Sequence, residues 1–320
     1  MRLLNLFLLS FTLIIYTNCQ NESNQTKYDL VVYGGTSGGI AAAIQAKRMG
    51  KSVILIEPGS RMGGLTTGGL GQTDIGNKAA VGGISREFYE RIKTYYDNPD
   101  NWKWQEMEEY FDGGQTRTKI GESAMWTFEP SAALKVYEDF IKSEKIELVL
   151  NKKLDRTNGV NKIDGEIISI KMLSGEEYHG KMFIDATYEG DLMAAAGVSY
   201  TVGREPNSTY KETMNGVNTK LTDTTMTGHQ ARNAMNHNFV DGVNPYVIKG
   251  DPASGLLPCI NPDGPGEEGA GDHRVQAYCF RMCLTDHPEN RIPFGKPDNY
   301  NELDYELLLR NYEAGEEGFP

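Results

Sequence analysis

The sequence predicts an α/β fold: a parallel sheet flanked by helices, a β-hairpin inserted into that sheet, and the start of a second lobe. Three observations carry this. Residues 29–57 pass from an apolar run (Leu30, Val31, Val32, Tyr33) through a glycine turn and an alanine-rich helix to a second apolar run, the βαβ order that makes the two strands parallel. Residues 163–173 and 177–184 alternate in polarity on either side of Ser174-Gly175, which is the grammar of a hairpin. Residues 181–187 then give a late apolar strand ending in the small-residue turn Asp185-Ala186-Thr187.

At the N-terminus, Arg2 precedes an apolar run over residues 3–16, too short to span a bilayer core and closed by Thr17-Asn18-Cys19. Residues 1–19 read as an export signal, placing the protein in the periplasm, at the cell envelope or outside the cell. Cys19 directly after the apolar run suits a lipoprotein, with a lipid on Cys19 as the membrane contact and residues 20–27 as a polar tether. Tyr16 and Asn18 depart from the usual lipoprotein box, so cleavage nearby with release stays equally open.

Residues 28–197 read as one nucleotide-binding domain of Rossmann type. Ile84, Phe88, Ile92 and Tyr95 recur at helical spacing and predict a helix over 79–96; Leu134, Tyr137 and Ile141 predict another over 130–143, leading into an apolar strand at 146–150. Between the helices lies an insertion, residues 98–127, whose Trp102 and Trp104 are read as packing over a long loop rather than as a sugar platform. After Gly197 the composition shifts to Asn, Thr, Gly and Pro, and residues 198–320 read as a substrate domain. Its clearest strand is 275–285, where alternation puts Arg281 between Cys279 and Cys283 on one face, with Tyr278, Phe280, Met282 and Leu284 on a core face. An acidic amphipathic helix over 303–310 follows.

Composition excludes several classes. With 320 residues, 39% of them hydrophobic, the chain can bury a core and is not disordered. A net charge of −12 argues against nucleic acid, since binding phosphate backbones needs clustered cations. Cys279 and Cys283 on one strand would lie about 13 Å apart, too far for a disulfide. His229, His237, His273 and His287 show no ligand spacing with the cysteines, so no metal site is expected.

The first turn carries the chemistry. In Gly34-Gly35-Thr36-Ser37-Gly38-Gly39, glycine lets the chain leave the strand sharply and lets helix and strand approach, while the helix N-terminus faces an anion such as a pyrophosphate. Thr36 stands where the usual fingerprint has its second glycine and keeps a hydroxyl that can meet a phosphate. Glu57 ends the second strand roughly 20 residues on, where an acid accepts hydrogen bonds from an adenosine ribose. Glycine is then so dense in residues 58–70 that neither helix nor strand interior is tenable, each costing up to about 1 kcal/mol there.

Here the sequence resembles a known family. Arg61-Met62-Gly63-Gly64 directly after the acid looks like the second signature of two-dinucleotide-binding-domain flavoproteins. Asp185-Ala186-Thr187 resembles their Ala-Thr-Gly turn, with Tyr188 in place of the glycine, and taken together with Tyr278-Cys279-Phe280-Arg281-Met282-Cys283-Leu284-Thr285 the chain resembles the bacterial exported FAD-dependent oxidoreductases, some of which carry the label xanthan lyase. The resemblance implies FAD, with Gly34 to Gly39 at the pyrophosphate, Glu57 at the ribose, Arg61, Gly63 and Gly64 along the far side of the diphosphate, the Thr187 turn beside the cofactor and Asp191 toward the ribityl chain. It implies hydride exchange with a small molecule, a sugar or hydroxy acid, without naming it. Candidate catalytic side chains are Arg281, His229 and His273. A nicotinamide-dependent dehydrogenase and a non-catalytic carbohydrate-binding surface protein on the same fold stay open. Members of the class close their site with a later glycine-containing segment, and none is found before Pro320, so the sequence is expected to be a fragment that is not a competent enzyme alone.

Overall fold

A computed structural model of the chain describes residues 27–72, 75–110, 118, 121–218, 239–240, 242–276 and 281–316. The expected signal with Cys19, the histidines His229 and His237, and the stretch Tyr278-Cys279-Phe280 lie outside the described residues. The chain divides into two compact units: Met1–Ser199 with Phe280–Asn290, and Tyr200–Cys279 with Arg291–Pro320.

In the first unit, β1 (Lys27–Tyr33) is followed by α1 (Ser37–Arg48) and β2 (Val53–Ile56). A short turn of helix, α2 (Leu65–Gly68), precedes α3 (Gly83–Tyr96) and α4 (Pro130–Ser143), and β3 (Glu147–Val149) follows. Then come β4 (Val160–Ile163), β5 (Glu166–Lys171), β6 (Glu177–Asp185) and α5 (Asp191–Ala195). The six strands form one sheet in the order β3-β2-β1-β6-β5-β4. β1 runs parallel to β2 and to β6, β2 parallel to β3, and β5 antiparallel to both β6 and β4.

Residues 30–33 of β1 and all of β2 are apolar because the sheet is covered on both faces there, the usual condition of parallel strands. Leu30, Val32, Val53 and Leu55 meet Ile40 and Ile44 of α1, Phe88 and Ile92 of α3, and Val136 and Phe140 of α4. Val31, Tyr33, Ile54 and Ile56 face the opposite way, onto Leu154, Ile170, Met172 and Leu192. Helix α4 starts with Pro130, whose fixed φ and missing N–H suit a first turn.

Three expectations need correction. Lys27, read as the end of a tether, already pairs with His179 as the first residue of β1. The hairpin gains a strand: Asp164 and Gly165 both take positive φ, 52° and 87°, as a two-residue hairpin turn requires, so β4 precedes β5. The expected strand 275–285 is not formed by its described residues; Met282 and Leu284, placed on a core face, are 65% and 68% exposed. Alternation sorts side chains between two faces, but a strand forms only where a neighbouring edge supplies backbone partners.

The second unit holds α6 (Asn207–Tyr210) and α7 (Leu303–Glu313), with most of its described residues outside helix and strand. Arg204 makes two hydrogen bonds to Asp272 across a pair of mutual backbone bonds. Buried Arg310 donates to Glu306 and to the carbonyls of Asn244, Tyr246 and Val247.

Candidate dinucleotide-binding site

The site lies where the strand order reverses. The chain leaves β1 toward β2 on one side, and β6 lies on the other; in open α/β sheets the crevice at such a reversal, outside the carboxyl ends of the strands, is the usual place for a ligand. Three loops meet there: 34–36 after β1, the glycine-rich run after β2, and 186–190 after β6.

They are fastened by close approach and by hydrogen bonds. A side chain on Gly34, which has φ +106°, would put its Cβ 2.6 Å from the Ala186 carbonyl carbon and the Thr187 nitrogen. Gly39 likewise packs against the Gly34 carbonyl. Thr36 explains its own departure from the fingerprint: its hydroxyl donates to the Ala186 carbonyl at 2.8 Å and accepts from the Gly39 N–H at 3.3 Å. One side chain therefore caps α1 and ties it to the β6 turn, and the hydroxyl's proton is committed to protein rather than to a phosphate. Gly38 differs from its neighbours, because nothing lies nearer than the Thr36 Oγ1 at 3.8 Å to where its Cβ would stand. Its bareness is not demanded by packing and leaves room over the first turn of α1, a twelve-residue helix whose N-terminus favours an anion.

Glu57 grips both glycine loops. Its Oε2 accepts from the Gly35 N–H at 2.7 Å and its Oε1 from the Gly59 N–H at 2.6 Å. Each carboxylate oxygen keeps a second acceptor site beside these bonds. The Gly63 N–H donates to the Gly35 carbonyl at 2.6 Å, and Ser37 donates its hydroxyl to the Gly63 carbonyl at 3.1 Å. Ser37 and Thr66 share a 2.8 Å hydroxyl bond, and the buried Tyr137 phenol from α4 is hydrogen-bonded to both; burial pushes that phenol above its usual value against their pull. Gly64 packs against the Tyr188 ring. Thr187 takes the Asp185 carboxylate as acceptor and receives the N–H groups of Gly190 and Asp191, while Asp185 also accepts from Met193. Tyr137, Tyr188 and Asp185 were not among the sequence candidates, although Tyr188 is the residue that breaks the Ala-Thr-Gly pattern.

Gly34, Gly35, Thr36, Ser37, Gly38, Gly39, Glu57, Gly63, Gly64 and Thr187 are thus brought together. Arg61 is exposed and reaches the Pro130 carbonyl at 3.4 Å. Asp191 opens α5 and pairs with Arg156 at 3.2 Å. Arg281 belongs to the first unit, its main chain pressed against Gly69 of the glycine-rich loop and its side chain exposed. His273 is an exposed residue of the second unit. His229 lies outside the described residues. Among the described residues no cluster of His, Cys, Asp and Glu could hold a metal ion, and no helix is long and apolar enough to cross a membrane.

A mostly parallel sheet with a helix N-terminus, two glycine loops and an acid at its switch point defines a dinucleotide-binding domain. The family of FAD dependent oxidoreductases matches residues 29–319, and the chain belongs to it. No curated protein matches the sequence. Among solved structures the chain is similar to L-proline dehydrogenase from P. horikoshii, at 15% identity over 57% of this chain and 59% of that one, with a TM-score of 0.36. It is also similar to thioredoxin reductase from Streptococcus pyogenes, at 19% identity over 51% and 36%, with a TM-score of 0.29. A flavin-containing monooxygenase from Stenotrophomonas maltophilia matches at 13% identity over 51% and 39%, with a TM-score of 0.31. The chain spans less than two thirds of the length of these structures, and the family membership rests on the sequence match.

Proposed function

We propose that the crevice beside β1 holds FAD, and that the protein serves an oxidoreductase exchanging a hydride with a small molecule such as a sugar or hydroxy acid. One observation carries the reading: the three loops at the switch point are locked to one another while the ground over Gly38 and the free acceptor sites of Glu57 are left for a ligand. Family membership supports FAD as that ligand. When bound, the flavin supplies the redox chemistry, accepting or giving the hydride at its ring.

The chain's own residues divide the work by position. The first turn of α1, with Gly38 bare above it, orients a diphosphate by its positive end. Glu57 orients an adenosine ribose and holds the two loops that flank it. Tyr137, Ser37 and Thr66 stiffen the glycine-rich run from below, so that its backbone is ordered before a ligand arrives. Arg281, at Gly69, stands beside these loops and supplies a cation for an anionic substrate or for charge on a reduced ring.

The adenosine contacts make a discriminating test. Titration of the purified chain, followed by flavin fluorescence, is expected to show FAD binding at least about tenfold more tightly than FMN, the equivalent of about 1.4 kcal/mol. Equal affinities, or binding of a nicotinamide dinucleotide in preference to either flavin, would overturn the assignment.

A further inference from the structure

Tyr188 stands directly after the β6 turn, where the flavoprotein pattern has glycine. Its phenol oxygen accepts a hydrogen bond from the Leu65 backbone N–H at 2.8 Å. The ring fills the space a side chain on Gly64 would need, an ideal Cβ there falling 2.9 Å from the Tyr188 Cζ. Gly64, at φ +55°, is therefore bare in order to seat this phenol.

Sheet order fixes what the bond spans. β1 lies between β2 and β6; Leu65 belongs to the loop after β2, and Tyr188 to the turn after β6. The bond consequently links the loop after β2 to the turn after β6, the two flanks of β1 at its carboxyl end. The hydroxyls around it behave differently. Tyr137 is buried and hydrogen-bonded to two neighbours, whereas Tyr188 is 59% exposed and, among the described residues, its phenol makes this one hydrogen bond. An exposed side chain changes rotamer in picoseconds to nanoseconds once released. The arm is thus positioned to close the crevice and is held lightly enough to open it.

We propose that Tyr188 gates dinucleotide exchange: with its phenol on Leu65 the diphosphate cannot pass between the loops, and with the bond broken it can. The proposal rests on the reading that FAD lies along Gly34 to Gly39. A gate closed in the free and the loaded protein alike slows entry and exit by the same factor and leaves affinity alone. A ligand contact would slow exit only. A structural strut would show itself in the stability of the ligand-free protein.

The test is stopped-flow flavin fluorescence on the full chain with FAD as the probe, comparing wild type with Tyr188→Phe and Tyr188→Leu. In both variants association and dissociation rates are expected to rise together, by the about two- to tenfold that one net hydrogen bond sets. The Kd should stay within about twofold and the urea midpoint of the ligand-free protein should be unchanged. Faster dissociation with a matching loss of affinity, or unchanged rates in both variants, would overturn the gate while leaving FAD binding in place. A wild-type chain that binds no FAD would overturn the functional reading and the gate with it.

Discussion

The two units are held together by different means. In the first, backbone meets backbone: a sheet covered on both faces, and a switch point where Gly34 and Gly39 bring main chains into contact that no side chain would survive. In the second, the buried apolar residues among those described are few, Val217 and Leu257 among them, and order is imposed by arginines, Arg310 collecting three carbonyls and Arg204 clamping Asp272. Apolar side chains there that would build a core elsewhere are exposed, Ile292 at 91% and Phe294 at 79%. A backbone-packed region is intolerant of any added atom, while an arginine-pinned region is intolerant of one lost charge.

The largest expected effect is at the first unit's tightest point. Gly34→Ala adds a methyl against the Ala186 carbonyl and forces alanine to φ +106°, so it should destabilise the first unit by about 3–5 kcal/mol. Trp102, Trp104 and Trp126, the chain's tryptophans, all lie in this unit, so their fluorescence in a urea titration reads it selectively. A change below about 1 kcal/mol would mean the three loops are not locked as described. Next comes Arg310→Leu, which leaves Glu306 and three carbonyls without their donor at a buried position. It should cost the second unit about 2–4 kcal/mol, seen as faster hydrogen exchange at Val247 and Leu257, with the tryptophan transition unmoved. If both transitions shifted together, the two units would have to be treated as one.

The smallest effect sharpens the contrast with pH. The hydrogen bond from Arg204 holds the Asp272 carboxyl down at about 2, from an ordinary 3.8. A depressed carboxylate contributes stability that is complete above its unfolded value and lost as pH falls through its folded one, so the contribution should fade between about pH 4 and pH 2. Hydrogen exchange at the paired Arg204 and Asp272 amides should therefore quicken across that window. In Asp272→Asn the same exchange should be fast already at neutral pH and lose this dependence; an unaltered acid profile in the variant would refute it.

How much of this was legible in the sequence follows from the range of the interactions. The β1-α1-β2 unit could be read because its apolar runs, glycines and Glu57 lie within one short stretch. β4 was missed because Val160-Asn161-Lys162-Ile163 is largely exposed and lacks an apolar face, although Asp164-Gly165 was a turn signal in plain view. The segment 275–285 misled because alternation says nothing about whether a partner edge exists. In the site, the glycines announced themselves, but their reasons did not: Gly34 answers to Ala186, Gly64 to Tyr188 and Gly69 to Arg281, each a contact across a long loop of chain. Glu57 was read as a ligand contact and is also the clamp between two loops. Tyr137 looked like one more apolar position on a helix, and only its place in space shows its hydroxyl partners.

The strand order has one more consequence, for the chain as it is made. β1 is an interior strand of the finished sheet, with β2 on one side and β6 on the other, yet β2 ends at Ile56 and β6 only at Asp185. At ribosomal speeds of about 5–20 residues per second, the stretch between them takes on the order of ten seconds to appear. For that time Leu30, Val31, Val32 and Tyr33 present an unpaired apolar ribbon to whatever is near. The central strand of the mature sheet is thus, during synthesis, its most exposed edge, and a chaperone that recognises extended apolar segments would meet this protein there.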